Sequence, residues 1–198
     1  MVVNNYKDNA KKQQVVQNLN RCTGETVESI DHYATNLIDQ VTTKDPDAVI
    51  LTGSSFMLTK PDTRLVFAPE IELVRTLRIP LLGICFGHQL IGTAFGSMVV
   101  DLGESIRDIK QIRLLSRDPI FRGLPETVNV AESHRQALNN VPDGFRLLAE
   151  SSTCKVEAIS EQNRMVYGFQ FHPERSDDTI PWGRRIIQNF LGLADSYQ

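Results

Sequence analysis

Cysteine is scarce in this chain: Cys22, Cys85 and Cys154 are odd in number, widely separated and without a CxxC pair. That argues against a disulfide framework or a zinc site and makes a reducing cytosol the expected setting. Long apolar runs are also missing, and Met1-Val2-Val3-Asn4-Asn5 has neither the basic segment nor the apolar core of a signal peptide, so neither a membrane span nor export is expected. Positive charge is not in excess: 21 Lys and Arg against 24 Asp and Glu leave a net charge of −3, which excludes nucleic-acid binding by phosphate neutralisation as an expectation. No P-loop, GxGxxG, internal repeat or Pro/Gly-rich linker is present, so no nucleotide cofactor is expected. With 198 residues, 41% hydrophobic and 23% charged, the chain suits one well-cored globular domain over residues 1–198.

The first half alternates strand and helix signals. Val2-Val3 reads as a short strand, followed by a helix with Val15, Val16 and Leu19 on one face. A second helix is expected after Gly24, from Val27, Ile30, Ala34, Leu37 and Ile38 at three- and four-residue spacing, with His32 solvated on its surface. Ala48–Leu51 reads as a buried parallel strand with Thr52-Gly53-Ser54-Ser55 as its exit loop. A helix from about Pro69 to Leu77, a strand into Cys85, and a helix carrying Leu90, Ile91, Ala94 and Phe95 come next. The second half is read as short β segments around 97–101, 109–115, 127–132, 145–150, 154–160 and 165–171, then an amphipathic helix with Ile186, Ile187, Phe190 and Leu191 inward. The fold class expected is α/β: an open, mostly parallel, flavodoxin-like sheet with helices on both faces and added antiparallel strands. In such sheets the reactive site lies beyond the carboxyl ends of the strands, where Cys85 and the Thr52 loop both fall.

Gly83-Ile84-Cys85-Phe86-Gly87 has the G-x-nucleophile-x-G spacing of a strand-to-helix elbow. Small neighbours let the turn close, and the first amides of the following helix favour a thiolate. A buried, inert cysteine fits that segment equally well, so its partners decide. A cysteine nucleophile needs a base, and the base an orienting group. Of the four histidines, His88 reads as structural. His172 ends the strand Tyr167–His172 with Glu174 two residues on, which in extended backbone would bring imidazole and carboxylate to one side. Metal binding is disfavoured, because no further ligand set completes a coordination pattern. Cys22 and Cys154 read as packing or helix-end residues.

Gly83–Gln89 and Gly168-Phe169-Gln170-Phe171-His172-Pro173-Glu174 resemble the two signatures of class I (triad) glutamine amidotransferases. Val49–Gly53 is similar to that family's oxyanion loop and Glu132-Ser133-His134-Arg135 to its substrate-contacting strand, so the resemblance covers nearly the whole chain. Among subfamilies, the stretch from Ser133 to Ala158 most resembles the glutaminase subunits of GMP synthases. The resemblance implies that Cys85 attacks the side-chain amide of glutamine and that His172, oriented by Glu174, moves protons. The amide of Phe86 and one in the Gly53-Ser54 loop would form the oxyanion hole, while Gln89 and the Ser133-His134-Arg135 backbone would hold the substrate's α-amino and α-carboxylate groups. It also implies no cofactor, and ammonia delivery to a separate ATP-dependent synthetase in purine biosynthesis.

The chain departs from the family pattern in three places. Gly53-Ser54-Ser55 stands where the family usually has two glycines and proline, Val3-Asn4-Asn5-Tyr6 replaces the usual Asp-x-Gly-x-Gln start, and Arg175-Ser176-Asp177-Asp178 is an unusual continuation. These leave the triad intact and the pathway open, and the altered Ser54-Ser55 loop would suit the second reading, a free-standing γ-glutamyl peptidase or hydrolase with the same triad. A third is a non-catalytic regulatory protein on the same fold, against which the complete Cys85, His172 and Glu174 set argues.

Overall fold

Val2–Asn4 (β1) is buried along its whole length, as expected of a strand covered on both faces. In the computed structural model, which describes residues 1–197, β1 pairs in parallel with Ser29–Asp31 (β2) on one side and Val49–Leu51 (β3) on the other. β3 pairs with Leu81–Ile84 (β4), and β4 with Val166–Phe169 (β9), again in parallel. Beyond β9 the sheet continues in antiparallel fashion through Ala158–Glu161 (β8), Phe145–Glu150 (β7), Val99–Leu114 (β5) and Thr127–Leu138 (β6). The nine strands run in the order β2-β1-β3-β4-β9-β8-β7-β5-β6.

Alternate residues of the parallel strands feed two cores. Val2, Ile50, Leu82 and Phe169 pack with Val15 and Leu19 of Asn9–Thr23 (α1) and with Ile186 and Phe190 of Trp182–Ala194 (α6). Val3, Leu51 and Leu81 pack on the opposite face with Leu37–Thr43 (α2), Ala68–Thr76 (α4) and Phe86–Ala94 (α5). A short helix, Pro61–Val66 (α3), precedes α4. Local signals delimit α1: the Asp8 carboxylate accepts from Lys11 N at 2.9 Å, and Gly24, at φ 81°, returns its N–H to Asn20 O. These are an N-cap and a left-handed C-cap.

Several sequence expectations are corrected. Val27 and Ile30 do not share a helix face; Val27 packs against the α1/α6 core and Ile30 against the opposite one. The segment is strand β2, which covers the outer edge of β1 with Ile30 opposite Val3, and the helix begins only at Leu37. His32 is buried rather than solvated, with its ring stacked on Phe67 at 4.3 Å between centroids. Desolvation lowers its pKa to about 4, so it is a neutral core ring at physiological pH. The segments expected at 97–101 and 109–115 are one strand, β5, interrupted by a register shift between Asp101 and Ile106 where Gly103 takes φ 84°. β6 runs on to Leu138 through its pairing with β5; the inward positions 132, 134 and 136 are the polar residues Glu132, His134 and Gln136, which hide the apolar alternation. Residues 154–157 are not strand: Ser151 Oγ accepts from the amides of Thr153 and Cys154 and holds a turn there.

Candidate active site

Cys85 links β4 to α5 at φ 50°, ψ −97°, one of three non-glycine residues with positive φ among those described. Such backbone costs on the order of 1–3 kcal/mol and persists only where its surroundings enforce it. Here Cys85 N donates to Phe169 O at 2.7 Å and Gln89 N to Cys85 O at 3.1 Å. The flanking glycines are demanded by contact: a Cβ on Gly83 would lie 2.6 Å from Gly87 O, and one on Gly87 2.5 Å from Leu51 O. The thiol therefore projects beyond the carboxyl ends of β3, β4 and β9. Phe86 N–H opens α5 beside it and has no intrahelical acceptor.

His172 and Glu174 meet as expected, but not through extended backbone. The chain leaves β9 and turns into a 3-10 turn at Pro173–Arg175, and the pair closes across that turn with His172 Nδ1 2.8 Å from Glu174 Oε1. Both are buried. The imidazole faces Cys85 over Gly53, where a Cβ would sit 2.9 Å from His172 Cε1 and 3.7 Å from Cys85 Cβ. Burial disfavours the imidazolium, but the Glu174 carboxylate and the Cys85 thiolate outweigh it and raise the pKa of His172 to about 10. For Glu174, desolvation is overcome by the imidazolium and by Arg175, so its pKa falls below the ordinary carboxylate value. The arrangement sets a protonated imidazole beside the sulfur.

The Gly53-Ser54 loop passes over this pair and is tied down by residues to which the sequence assigned no role. Asn5 N donates to Thr52 Oγ1 at 2.9 Å, and Asn5 Nδ2 donates to Thr52 O at 3.0 Å and to Glu70 Oε1 at 2.9 Å. Ser54 Oγ donates to Asn5 O at 2.7 Å and accepts from Phe56 N at 3.1 Å. Burial raises Glu70 to about 8, which keeps it neutral beside the Asn5 amide. Ser54 is not among the positive-φ residues. A second glycine is thus not required there, and the serine hydroxyl fixes the loop instead.

Cys85, Phe86, Gln89, Ser133, His134 and Arg135 all line one cavity of about 280 Å³. Ser133 O lies 3.8 Å from Cys85 Sγ. His134 turns its ring inward, with Nδ1 3.0 Å from Gln136 O and Nε2 3.1 Å from Glu132 Oε2, and Arg135 is exposed and paired with Asp101 at 2.9 Å. What these two can offer a ligand at the sulfur is therefore backbone. Gln89 Nε2 donates to Gln136 O at 2.8 Å and to Gln170 Oε1 at 3.1 Å. Only its carbonyl oxygen is left to face the cavity, an acceptor suited to an ammonium and not to a carboxylate. Tyr6 also lines the cavity; burial, Glu174 and Cys85 raise its pKa to about 12, so its hydroxyl stays protonated. Gln170 Nε2 lies 3.6 Å from Cys85 Sγ. The departure of the first strand from the family pattern is the signal that could have found Asn5 and Tyr6, to which the sequence reading gave no role. Nothing local marked Gln136 or Glu70. His88 is buried without a side-chain contact to the sulfur, and desolvation lowers it to about 3, a structural ring as expected. Cys22 and Cys154 are buried and free.

Comparison with known proteins follows the same outline. The family description "Glutamine amidotransferase class-I" matches residues 2–193. A protein of Methanothermobacter thermautotrophicus, named as one subunit of a glutamine-hydrolyzing GMP synthase, is 37% identical over 163 residues, 82% of each chain. A longer protein of Syntrophomonas wolfei, named GMP synthase (glutamine-hydrolyzing), is 38% identical over 77% of this chain and 29% of its own length. A crystal structure of a Thermoplasma acidophilum protein, provisionally assigned as the corresponding GMP synthase subunit, superposes with a TM-score of 0.81 at 29% identity, covering 99% of this chain and 93% of that one. The chain belongs to the class I glutamine amidotransferases.

Proposed function

We propose that this amidotransferase is the glutaminase subunit of a GMP synthase. In this reading it passes ammonia to a separate, ATP-dependent synthetase in the cytosol, with residues 1–198 acting as one domain. The observation that carries the chemistry is the buried His172–Glu174 pair at 2.8 Å beside a cysteine held at positive φ. Support for the pathway comes from the GMP synthase subunits among its relatives and from the longer GMP synthase, of which this chain matches only a part.

The Cys85 thiolate attacks the side-chain carbonyl carbon of glutamine, and the oxygen takes up the charge. Phe86 N–H and an amide of the Gly53-Ser54 loop receive that oxyanion, the contribution usually largest in acyl transfer. His172 gives its proton to the departing nitrogen, the C–N bond breaks, and a γ-glutamyl thioester and ammonia result. The now neutral His172 takes a proton from water, whose oxygen attacks the thioester. Collapse expels the Cys85 thiolate and releases glutamate, with the proton again on His172. Glu174 keeps Nδ1 protonated, so that Nε2 is the nitrogen that exchanges protons throughout.

Ammonia release from glutamine, measured on the complex co-purified from its native source, tests this reading. We expect at least a 10³-fold loss in Cys85→Ala, the order seen when a catalytic nucleophile is removed. Undiminished turnover would overturn it. Faster hydrolysis of γ-glutamyl conjugates than of glutamine would assign the same triad to a peptidase.

A further inference from the structure

We infer that Gln170 is a catalytic residue: its side-chain amide donates a hydrogen bond to the Cys85 sulfur, and Gln89 holds it in the donating orientation. The inference rests on the reading of Cys85 as the nucleophile. It follows from a chain of contacts with one unambiguous end. Gln136 O is a backbone carbonyl and can only accept, so the terminal atom of Gln89 at 2.8 Å from it is the nitrogen. That same NH2 lies 3.1 Å from the Gln170 side chain, and two amide nitrogens cannot face each other as donors. The facing atom is therefore Gln170 Oε1, which directs Gln170 Nε2 at Cys85 Sγ, 3.6 Å away. Both glutamines are buried, Gln170 completely, so no bulk water can take over a flipped amide's lost hydrogen bonds. Gln170 N, donating to Glu157 O at 2.8 Å, anchors the backbone.

The sulfur's needs change during the reaction, and this donor meets the charged stage. As a thiol it has Ser133 O at 3.8 Å to donate to. As a thiolate it can only accept, and that carbonyl becomes an unfavourable neighbour. Gln170 N–H and the His172 imidazolium then supply what the anion requires, the former without adding net charge to a buried site. The same donor stabilises the thiolate when it is expelled from the thioester.

Alkylation of Cys85 by iodoacetamide as a function of pH reads the sulfur directly, with peptide mass spectrometry separating it from Cys22 and Cys154. In Gln170→Met, which preserves side-chain length but removes the donor, the rate at pH values below the wild-type midpoint falls about tenfold, the order expected for one charge-assisted hydrogen bond. The pH midpoint of the profile moves upward by about one unit while the high-pH plateau stays put. Gln89→Met, which frees the Gln170 amide to turn, shifts the midpoint the same way by a smaller amount. A role in packing or access alone would change the plateau and leave the midpoint in place, and that result, in a variant with an unchanged far-UV spectrum, overturns the assignment. If Gln170→Met does not fold, Gln89→Met decides: an unmoved midpoint overturns, an upward shift upholds. Cys85→Ala turnover tests the nucleophile separately, because alkylation follows the sulfur whether or not glutamine is hydrolysed.

Discussion

At His172 two effects of opposite sign meet in one buried ring. Desolvation alone would strip its proton, yet the Glu174 carboxylate and the Cys85 thiolate raise its pKa to about 10 from an ordinary 6.5. A raised folded-state pKa means that the imidazolium stabilises the native chain in full below 6.5 and that this contribution is lost as pH rises through about 10. Glu174 has the opposite sign: its pKa is depressed, so its contribution is present above the ordinary 4.5 and is lost as pH falls through the lowered value. In Glu174→Gln the ring loses its carboxylate. Its urea midpoint is therefore expected to decline less between neutral and alkaline pH than that of the wild type, and parallel declines would refute the pairing. The neighbouring Cys85 offers a second test, because its backbone sits at φ 50°. Ala ordinarily tolerates folding better than Gly, but at this position glycine relieves the strain. Both Cys85→Ala and Cys85→Gly are expected to be inactive, with the glycine variant the more stable by about 1 kcal/mol in urea denaturation.

Between elements, glycine contacts decide how closely α5 can approach the sheet. A methyl on Gly87 would meet Leu51 O at 2.5 Å and Leu51 Cβ at 2.8 Å, so α5 and β3 must separate to admit it. Gly87→Ala is expected to cost about 1–3 kcal/mol, the usual overpacking range, and to lower turnover, because β3 leads straight into the Gly53-Ser54 loop. Gly192 in α6 meets nothing within 4 Å. Gly192→Ala should raise stability by roughly 0.5–1 kcal/mol through helix propensity alone. Thermal denaturation of the two variants separates contact from propensity. The same distinction explains what could be read from the sequence. The elbow at Cys85 and the His172–Glu174 pair were legible because the glycine spacing and the His-Pro-Glu triplet act within a few residues. Strand β2 was not, since Ile30 becomes strand by pairing with Val3 far away in sequence. The length of β6 was masked by buried Glu132, His134 and Gln136, the last of which takes its partners from a distant segment: Gln136 receives Leu58 N at 2.8 Å and bonds Thr59 Oγ1. Gln170 was visible inside a motif, yet its role depends on Gln89 and Gln136, which only the folded sheet brings to it.

For the molecule as a whole, the cavity opens at the carboxyl ends of β3, β4 and β9 and is walled on one side by the long β5–β6 hairpin. Exposed cations from four separate segments rim it: Lys11 on α1, Arg107 on β5, Arg135 on β6 and Arg175 on the turn after His172. Arg175 Nε is 3.7 Å from Glu174 Oε1, so the rim connects directly to the carboxylate paired with His172. Under the proposed function, a synthetase seated over this mouth would fix the Arg175 side chain, exclude water from the thioester and receive ammonia at its origin. Turnover of glutamine by the isolated chain is accordingly expected to be low and to rise at least tenfold when the synthetase is added. Because the rim carries four cations, assembly should weaken as ionic strength approaches the point where the Debye length falls to about 3 Å, near 1 M. Titrating the partner at low and high salt while following ammonia release measures both effects. Full activity of the chain alone, or activation indifferent to salt, would show that this mouth does not receive the partner by charge.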